Sequence, residues 1–106
     1  MRNVEHIIQS HCVSWFRFNY PDCLIFCVPN EATHKNGHYF QEQGVLKGVS
    51  DTIVVMKNRI LFIEFKTETG SQTREQKEFE RKLKELGFDY YVVRSLEEFI
   101  SIIEGV

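Results

Sequence analysis

Two acidic residues and a lysine are spaced so that a β-hairpin would bring their side chains together. Asp51 opens one β-rich run, and Glu64 and Lys66 close the next. Successive strand residues point to opposite faces, so Glu64 and Lys66 share a face while Phe65 points into the core. Two carboxylates can hold a hard cation, and the lysine can orient or deprotonate water. The set suits metal-assisted phosphodiester hydrolysis, although an inert ion-pair cluster on a solvated sheet face would have the same composition.

The register of this hairpin decides which of the three side chains meet. The runs 51–56 and 60–66 flank Lys57-Asn58-Arg59. A two-residue turn at Asn58-Arg59 predicts that Asp51 lies opposite Lys66, and opposed residues share a face. A three-residue turn would move one strand to the other face unless a bulge restored it.

The elements that must position the hairpin follow from periodicity. Apolar residues at helical spacing predict a first helix that ends before Pro21, and a β-rich run follows it. After the hairpin, two S/T-x-x-E/Q patterns open helices on either side of one more strand. These patterns are Thr73 with Gln76 and Ser95 with Glu98. The predicted order is α-β-β-β-α-β-α, a mixed α/β sheet flanked by helices.

Length and composition bound the class of protein. The chain has 106 residues, 42% hydrophobic and 26% charged, which predicts one globular domain over residues 1–106. No run approaches the ~20 apolar residues of a membrane span, and no signal peptide is recognisable. Three cysteines form no paired framework, which favours a reducing compartment and a cytoplasmic location. A net charge of -2 excludes a uniformly basic nucleic-acid coat but permits a local basic groove.

The hairpin residues and their surroundings resemble a known family. Asp51 followed by Glu64-Phe65-Lys66 is similar to the PD-(D/E)xK nuclease signature, with Ser50 in place of the usual proline. The wider set resembles the small stand-alone VRR-NUC nucleases of bacteria and phages. It comprises Gly48-Val49-Ser50-Asp51, Ile63-Glu64-Phe65-Lys66-Thr67, Gly70, Gln76, Leu83, Gly87 and Ser95-Leu96-Glu97-Glu98-Phe99.

The resemblance implies a restriction-endonuclease-like fold and a role for each matching residue. Asp51 and Glu64 would be metal ligands, joined by the backbone carbonyl of Phe65, and Lys66 would be the catalytic lysine. Glu5 would supplement the metal site from the first helix. Its alternative is a helix-start glutamate favoured by the helix dipole. The implied cofactor is Mg²⁺, with Mn²⁺ as a substitute.

Further residues are candidates for the site and for the substrate. The resemblance implies that Gln76 faces the active site, whereas the local pattern makes it the capping partner of Thr73. Serving both roles was expected to require two side-chain conformations. Lys47, Arg74 and Lys77 are candidates for contacts with nucleic-acid phosphates, and their alternative is ordinary solvated charge.

The function that the resemblance implies is a Mg²⁺-dependent DNA endonuclease selective for branched DNA such as four-way junctions, in a bacterial or phage-infected cell. Symmetric cutting of a junction needs two active sites, so a homodimer is expected. A second apolar set on the first helix is an independent indication of that dimer. The alternatives are a catalytically weak nucleic-acid-binding protein with a nuclease fold, a linear-DNA nuclease, and a partner-binding module.

Overall fold

A four-stranded sheet with helices on both faces forms the described part of the molecule. The computed structural model describes residues 4–29 and 42–105. The elements are α1 (Val4–Asn19), β1 (Leu24–Cys27), β2 (Thr52–Met56), β3 (Arg59–Phe65), α2 (Arg74–Glu85), β4 (Asp89–Val93) and α3 (Leu96–Glu104). This order confirms the predicted mixed α/β class and its α-β-β-β-α-β-α sequence.

The strands lie in chain order, β1-β2-β3-β4. The β1–β2 and β2–β3 pairs are antiparallel, and β3 and β4 are parallel. A parallel pair requires a crossover, which α2 supplies. The strand that carries the candidate site, β3, is therefore central and has a hydrogen-bonded neighbour on each side.

The turn of the β2–β3 hairpin lies one residue earlier than predicted. Lys57 and Asn58 form it, and Arg59 is already the first residue of β3. Asn58 adopts a φ of 59°, a left-handed conformation that asparagine tolerates better than most residues. Arg59 pairs with Met56 in the sheet. Its guanidinium also donates to the carbonyls of Ile102 and Ile103 at the C-terminal end of α3, where a cation is favoured.

The shifted turn changes which residues face each other across the hairpin. Thr52 pairs with Ile63, so the register places Asp51 across from Glu64. The prediction that Asp51 lies opposite Lys66 is wrong by two positions along β3. Because a shift of two residues preserves the alternation of faces, Asp51, Glu64 and Lys66 remain on one side of the sheet.

One face of the sheet is covered by α1 and α3 and is mostly apolar, with the buried hydroxyl of Thr52 as an exception. Phe16 of α1 and Phe99 of α3 are fully buried, with their ring centroids 6.3 Å apart in an edge-on arrangement. Phe65 contributes from β3, with its centroid 6.3 Å from that of Phe99, so its predicted core orientation is confirmed. The complete buried cluster is Cys12, Phe16, Ile25, Val54, Leu61, Ile63, Phe65, Val93, Phe99 and Ile103.

The opposite face lies under α2 and mixes apolar with polar contacts. Phe79 of α2 packs edge-on against Phe62 and Tyr90. Beside these rings, the side-chain amide of Gln72 donates to Glu80 at 3.0 Å and to the Tyr90 hydroxyl at 3.2 Å. This face therefore combines ring packing with side-chain hydrogen bonds between the α2 region and the sheet.

The three helices within the described ranges are too short or too polar to cross a lipid bilayer.

Candidate metal and catalytic site

The segment that leads into Asp51 is pressed against the first turn of α2. Gly48 has a φ of 85°, which favours glycine. A Cβ atom at this position would lie 2.3 Å from the carbonyl oxygen of Glu75 and 2.9 Å from the backbone nitrogen of Gln76. No larger residue fits without moving backbone, so Gly48 sets the distance between the Asp51 segment and the helix that carries Gln76.

Asp51 is fixed to the end of β3 by its own carboxylate. Its Oδ2 accepts a hydrogen bond from the backbone N–H of Phe65 at 2.8 Å. Its backbone carbonyl accepts from the N–H of Val28 at 2.7 Å, which ties the same residue to the chain beyond β1. These bonds hold the Asp51 carboxylate beside Glu64. The structure assigns a contact to the Phe65 amide, while the role of the Phe65 carbonyl as a metal ligand stays a prediction.

Glu64 is a buried carboxylate with one partnered and one unpartnered oxygen. Its residue is only 2% exposed. Oε2 accepts a hydrogen bond from Gln76 Nε2 at 2.8 Å, and Oε1 is buried with no hydrogen-bond partner among the described residues. Burial, followed by the neighbouring charge of Asp51, raises the pKa of Glu64 to about 8, and the Lys66 charge opposes that rise. A cation at this point would compensate both the burial and the repulsion between the carboxylates.

Gln76 serves the helix cap and the site in one conformation. Its Oε1 accepts from the backbone N–H of Thr73 at 2.8 Å, and its own N–H donates to Thr73 Oγ1 at 3.1 Å, which completes the capping box. The amide nitrogen of the same side chain holds Glu64. The expectation that two conformations would be needed is wrong, because a carboxamide presents an acceptor and donors on separate atoms.

Lys66 enters the site directly after β3 ends. Its backbone N–H donates to the carbonyl of Val93 at 3.0 Å, continuing the β3–β4 ladder by one residue. The residue is 9% exposed. Its charge is close enough to influence Glu64, which places the ammonium group on the same side of the sheet as the two carboxylates, as the alternation of β3 predicts.

The residues present fit a divalent cation held by two carboxylates. Mg²⁺ is commonly bound through one or two protein carboxylates, with waters and substrate phosphate oxygens completing the shell. Asp51, Glu64 and the unpartnered Oε1 match that requirement. Within residues 4–29 and 42–105, no three His, Cys, Asp or Glu side chains converge into a metal-binding group. Glu5 is half-buried in the first turn of α1, and its supplementary role stays a prediction.

The three cations proposed for substrate binding are exposed near this site. Lys47 and Arg74 line one groove of about 410 Å³ between the Gly48 segment and α2. Lys77 follows Gln76 on the first turn of the helix. Farther along α2, Arg81 pairs with Glu78 and Glu85, and Lys84 pairs with Glu80. At the start of α2, Arg74 and Lys77 form no ion pair with the described residues. Their charges are therefore available for contacts with phosphates.

Gly48 is a positioning residue whose importance sequence reasoning missed. In the sequence, the Gly48-Val49-Ser50-Asp51 run draws attention to Asp51 rather than to its glycine, and the contact of Gly48 with α2 joins residues far apart in the chain. A glycine three residues before a candidate ligand was the available signal. Its close packing against Glu75 could not be read from spacing alone.

Comparisons with known proteins agree with this geometry. The model of the VRR-NUC domain family matches residues 2–97. A solved structure of a VRR-NUC domain protein is similar to this chain with a TM-score of 0.76 and 22% identity, over 99% of this chain and 88% of that one. A second, described as a VRR-NUC domain, gives a TM-score of 0.70 and 20% identity over 97% of each chain. Among curated proteins none matches significantly. At these identities the structural likeness bears on the fold.

Proposed function

Because this chain belongs to the VRR-NUC family, we propose that it is a metal-dependent DNA endonuclease that uses Mg²⁺, with Mn²⁺ as a substitute. Membership of this family implies a nuclease-type function. The metal, the type of DNA and the assembly state are the proposed parts. Asp51 and Glu64 are the proposed metal ligands, with the Phe65 carbonyl and Glu5 as further candidates.

One observation carries the metal-dependent part of the proposal. Glu64 is buried, Gln76 holds one of its oxygens, and the other oxygen has no hydrogen-bond partner among the described residues. An unpaired buried carboxylate beside a second carboxylate is costly for a fold. A divalent cation that binds both groups would remove this cost, and this supports the proposal that the two carboxylates hold a metal ion.

The side chains around the carboxylates have separate tasks. When bound, a divalent cation lowers the pKa of water and offsets negative charge that develops on a phosphate. Gln76 orients Glu64 so that Oε1 remains available. Lys66 is positioned to orient the attacking water, to remove its proton, or to stabilise charge on the scissile phosphate. We propose that hydrolysis proceeds by in-line attack of this water, with the bond to the leaving oxygen breaking as the new P–O bond forms.

Lys47, Arg74 and Lys77 are proposed to contact the phosphates that flank the cut. Lys47 and Arg74 line the groove between the Gly48 segment and α2, and Lys77 follows Gln76 on the first turn of that helix. Among the described residues, none of the three forms an ion pair. Contacts of this kind position the backbone and carry no sequence information. They therefore support selection by DNA shape, and branched DNA such as a four-way junction is the proposed substrate.

A homodimer is proposed because a junction must be cut on two strands. Apolar side chains exposed on α1 and β1 support it: Val4, Phe18, Leu24 and Phe26 are all exposed. The three free cysteines suit the proposed cytoplasmic location in a bacterial or phage-infected cell.

Cleavage of a matched DNA panel tests this function. Duplex, flap, fork and four-way DNA with one shared sequence are incubated with Mg²⁺, with Mn²⁺ and with EDTA. We expect cuts that depend on the metal and are fastest on four-way DNA. Glu64→Gln should abolish them, and the exposed-acid control Glu85→Gln should not. Binding without cutting in every metal would support the catalytically weak alternative, and equal cutting of all four DNAs would support a linear-DNA nuclease.

A further inference from the structure

Arg94 closes the loop that follows Lys66. Its Nη1 donates to the carbonyl of Thr67 at 2.6 Å and to that of Gly70 at 2.7 Å, with a longer contact of 3.4 Å to the carbonyl of Glu68. The loop is tight, because a Cβ on Gly70 would lie 3.0 Å from Thr67 Oγ1. One arginine nitrogen therefore gathers three carbonyls that face inward from residues 67–70.

The loop that Arg94 contacts lies between Lys66 and Gln76, the two residues next to the Asp51 and Glu64 carboxylates. Lys66 immediately precedes the loop, and Val93, which precedes Arg94, accepts the Lys66 backbone hydrogen bond. The other end of the loop runs into Thr73, the N-cap of the helix that carries Gln76. Arg94 is itself fixed, since its backbone N–H donates to the Glu98 carboxylate at 2.6 Å. Arg94 thus links α3 to the chain between Lys66 and Gln76.

We propose that Arg94 is a positioning residue that directs the Lys66 side chain towards the Asp51–Glu64 pair. This inference rests on the proposed nuclease function, in which Lys66 is catalytic. The two hydrogens of Nη1 belong to a charged group, so their bonds to the loop carbonyls are stronger than those of a neutral amide. Without Arg94, the loop keeps the backbone hydrogen bond from Gly70 to the Thr67 carbonyl at 3.2 Å but loses its charged donor, so residues 67–70 become less restrained and the Lys66 side chain beside them is held less firmly.

Arg59 provides a matched control within the same chain. It also is half-buried and donates to two backbone carbonyls, those of Ile102 at 3.0 Å and Ile103 at 3.2 Å. It lies at the start of β3, whereas Lys66 follows the end of that strand, about 20 Å away at the rise of an extended chain. Removing either guanidinium takes a charged donor away from two closely spaced backbone carbonyls, and of these two arginines Arg94 is the one that contacts the loop next to Lys66.

Single-turnover cleavage at saturating DNA separates positioning from stability. Arg94→Gln is expected to slow the cleavage step about 10- to 100-fold, as small displacements of a reacting group do, with DNA affinity and the Mg²⁺ midpoint unchanged. Millimolar methylguanidine should restore part of the rate. Arg59→Gln should lower the unfolding midpoint and leave the rate within about twofold. Should Arg94→Gln fold poorly, Arg94→Lys replaces it, with a smaller loss expected because the ammonium keeps a charged donor but lacks the planar geometry of the guanidinium.

Amide hydrogen exchange of the Mg²⁺-free protein tests the same inference without activity. Arg94→Gln should speed exchange in residues 66–72 and leave α1 unchanged, and Arg59→Gln should not affect that loop. A wild-type protein that cuts no DNA would overturn the proposed function and leave this exchange result standing. Unchanged exchange in residues 66–72, or an equal loss of rate in both arginine variants, would overturn the positioning role. A loss of DNA affinity at an unchanged cleavage rate would overturn it as well, since it would make Arg94 a phosphate contact.

Discussion

The two faces of the sheet differ in what their side chains contribute: one face stabilises the fold, and the other carries the candidate site. On the α1–α3 face, Phe16, Phe65 and Phe99 are fully buried and meet ring to ring. On the α2 face, the same strand β3 buries Glu64 beside Asp51, with one carboxylate oxygen unpartnered among the described residues. Apolar packing lowers the free energy of the fold, whereas the buried acidic pair raises it unless a cation binds.

The contrast indicates that stability and chemistry are carried by alternate residues of one strand. Phe65 points to the core, and its neighbours Glu64 and Lys66 point to the site. Substitutions on the α1–α3 face should therefore change the free energy of unfolding and spare cleavage. Substitutions at the acidic pair should do the reverse.

The largest expected effect is on cleavage, at Glu64. Glu64→Gln should reduce the rate in Mg²⁺ roughly 10²–10³-fold or more, because the neutral amide is a poor metal ligand. The free energy of unfolding in EDTA should stay equal or rise, because folding of the wild type must either protonate Glu64, whose pKa is raised to about 8, or bury its charge beside Asp51, and the amide avoids both. Urea unfolding and single-turnover cleavage measure the two quantities. A variant that cuts normally, or one that is strongly destabilised in EDTA, would break the contrast between the faces.

The α1–α3 face should respond in the opposite way. Phe99→Ala removes a fully buried ring and should lower the free energy of unfolding by about 3–5 kcal/mol. Cleavage per folded molecule should be retained at a temperature where the variant is folded. The matched control is Phe18→Ala, since Phe18 is 85% exposed and its loss should change stability by about 0.5 kcal/mol or less. A large loss of cleavage rate in folded Phe99→Ala would show that the faces are coupled.

Gly48 is the position where stability and chemistry should fall together. Gly48→Ala forces a left-handed backbone, which costs roughly 1–3 kcal/mol, and it also drives a methyl group into the backbone of Glu75. Gly87→Ala is the control, because Gly87 has a φ of 92° and its Cβ would meet nothing within 4 Å. Gly48→Ala should lose more stability than Gly87→Ala and should also slow cleavage. Equal behaviour of the two variants would show that the contact with α2 is unimportant.

The smallest effect is expected at the helix caps. Thr73→Ala and Ser95→Ala each remove one side-chain acceptor at a helix start and should each cost about 1 kcal/mol of stability. Only Thr73→Ala should slow cleavage, by a few-fold, because its helix carries Gln76. The loss is small because the backbone N–H of residue 73 continues to donate to Gln76. A comparable rate loss in Ser95→Ala would contradict the division between the two faces.

Much of the fold could be read from the sequence because its signals are local. Helix α2 begins where the Thr73–Gln76 pattern predicts, and alternation along β3 correctly separates Phe65 from Glu64. The predicted hairpin register was wrong, because the turn lies at Lys57-Asn58 and Arg59 is already paired in β3, where its guanidinium also contacts the far end of α3. Those contacts join residues more than forty positions apart, and no local pattern encodes them.

The candidate site was predictable in its residue types and less so in its contacts. The acidic pair and the lysine follow from spacing and resemblance. Three contacts join segments that are distant in sequence. They are the hydrogen bond from Gln76 to Glu64, the close approach of Gly48 to α2, and the hydrogen bonds from Arg94 to the loop carbonyls. These contacts depend on how α2 and the loops around it pack against the sheet. That packing is determined by many side chains together and cannot be read from a local sequence pattern.

Direct measurement of cation binding tests the central claim, that Asp51 and Glu64 form a divalent-metal site. Mn²⁺ is titrated into the DNA-free protein and the free ion is followed by electron paramagnetic resonance, with Mg²⁺ as competitor. Wild type and Glu85→Gln should bind Mn²⁺ equally and release it to Mg²⁺, while Asp51→Asn and Glu64→Gln should bind at least about tenfold more weakly. Undiminished Mn²⁺ binding in both Asp51→Asn and Glu64→Gln would contradict the claim.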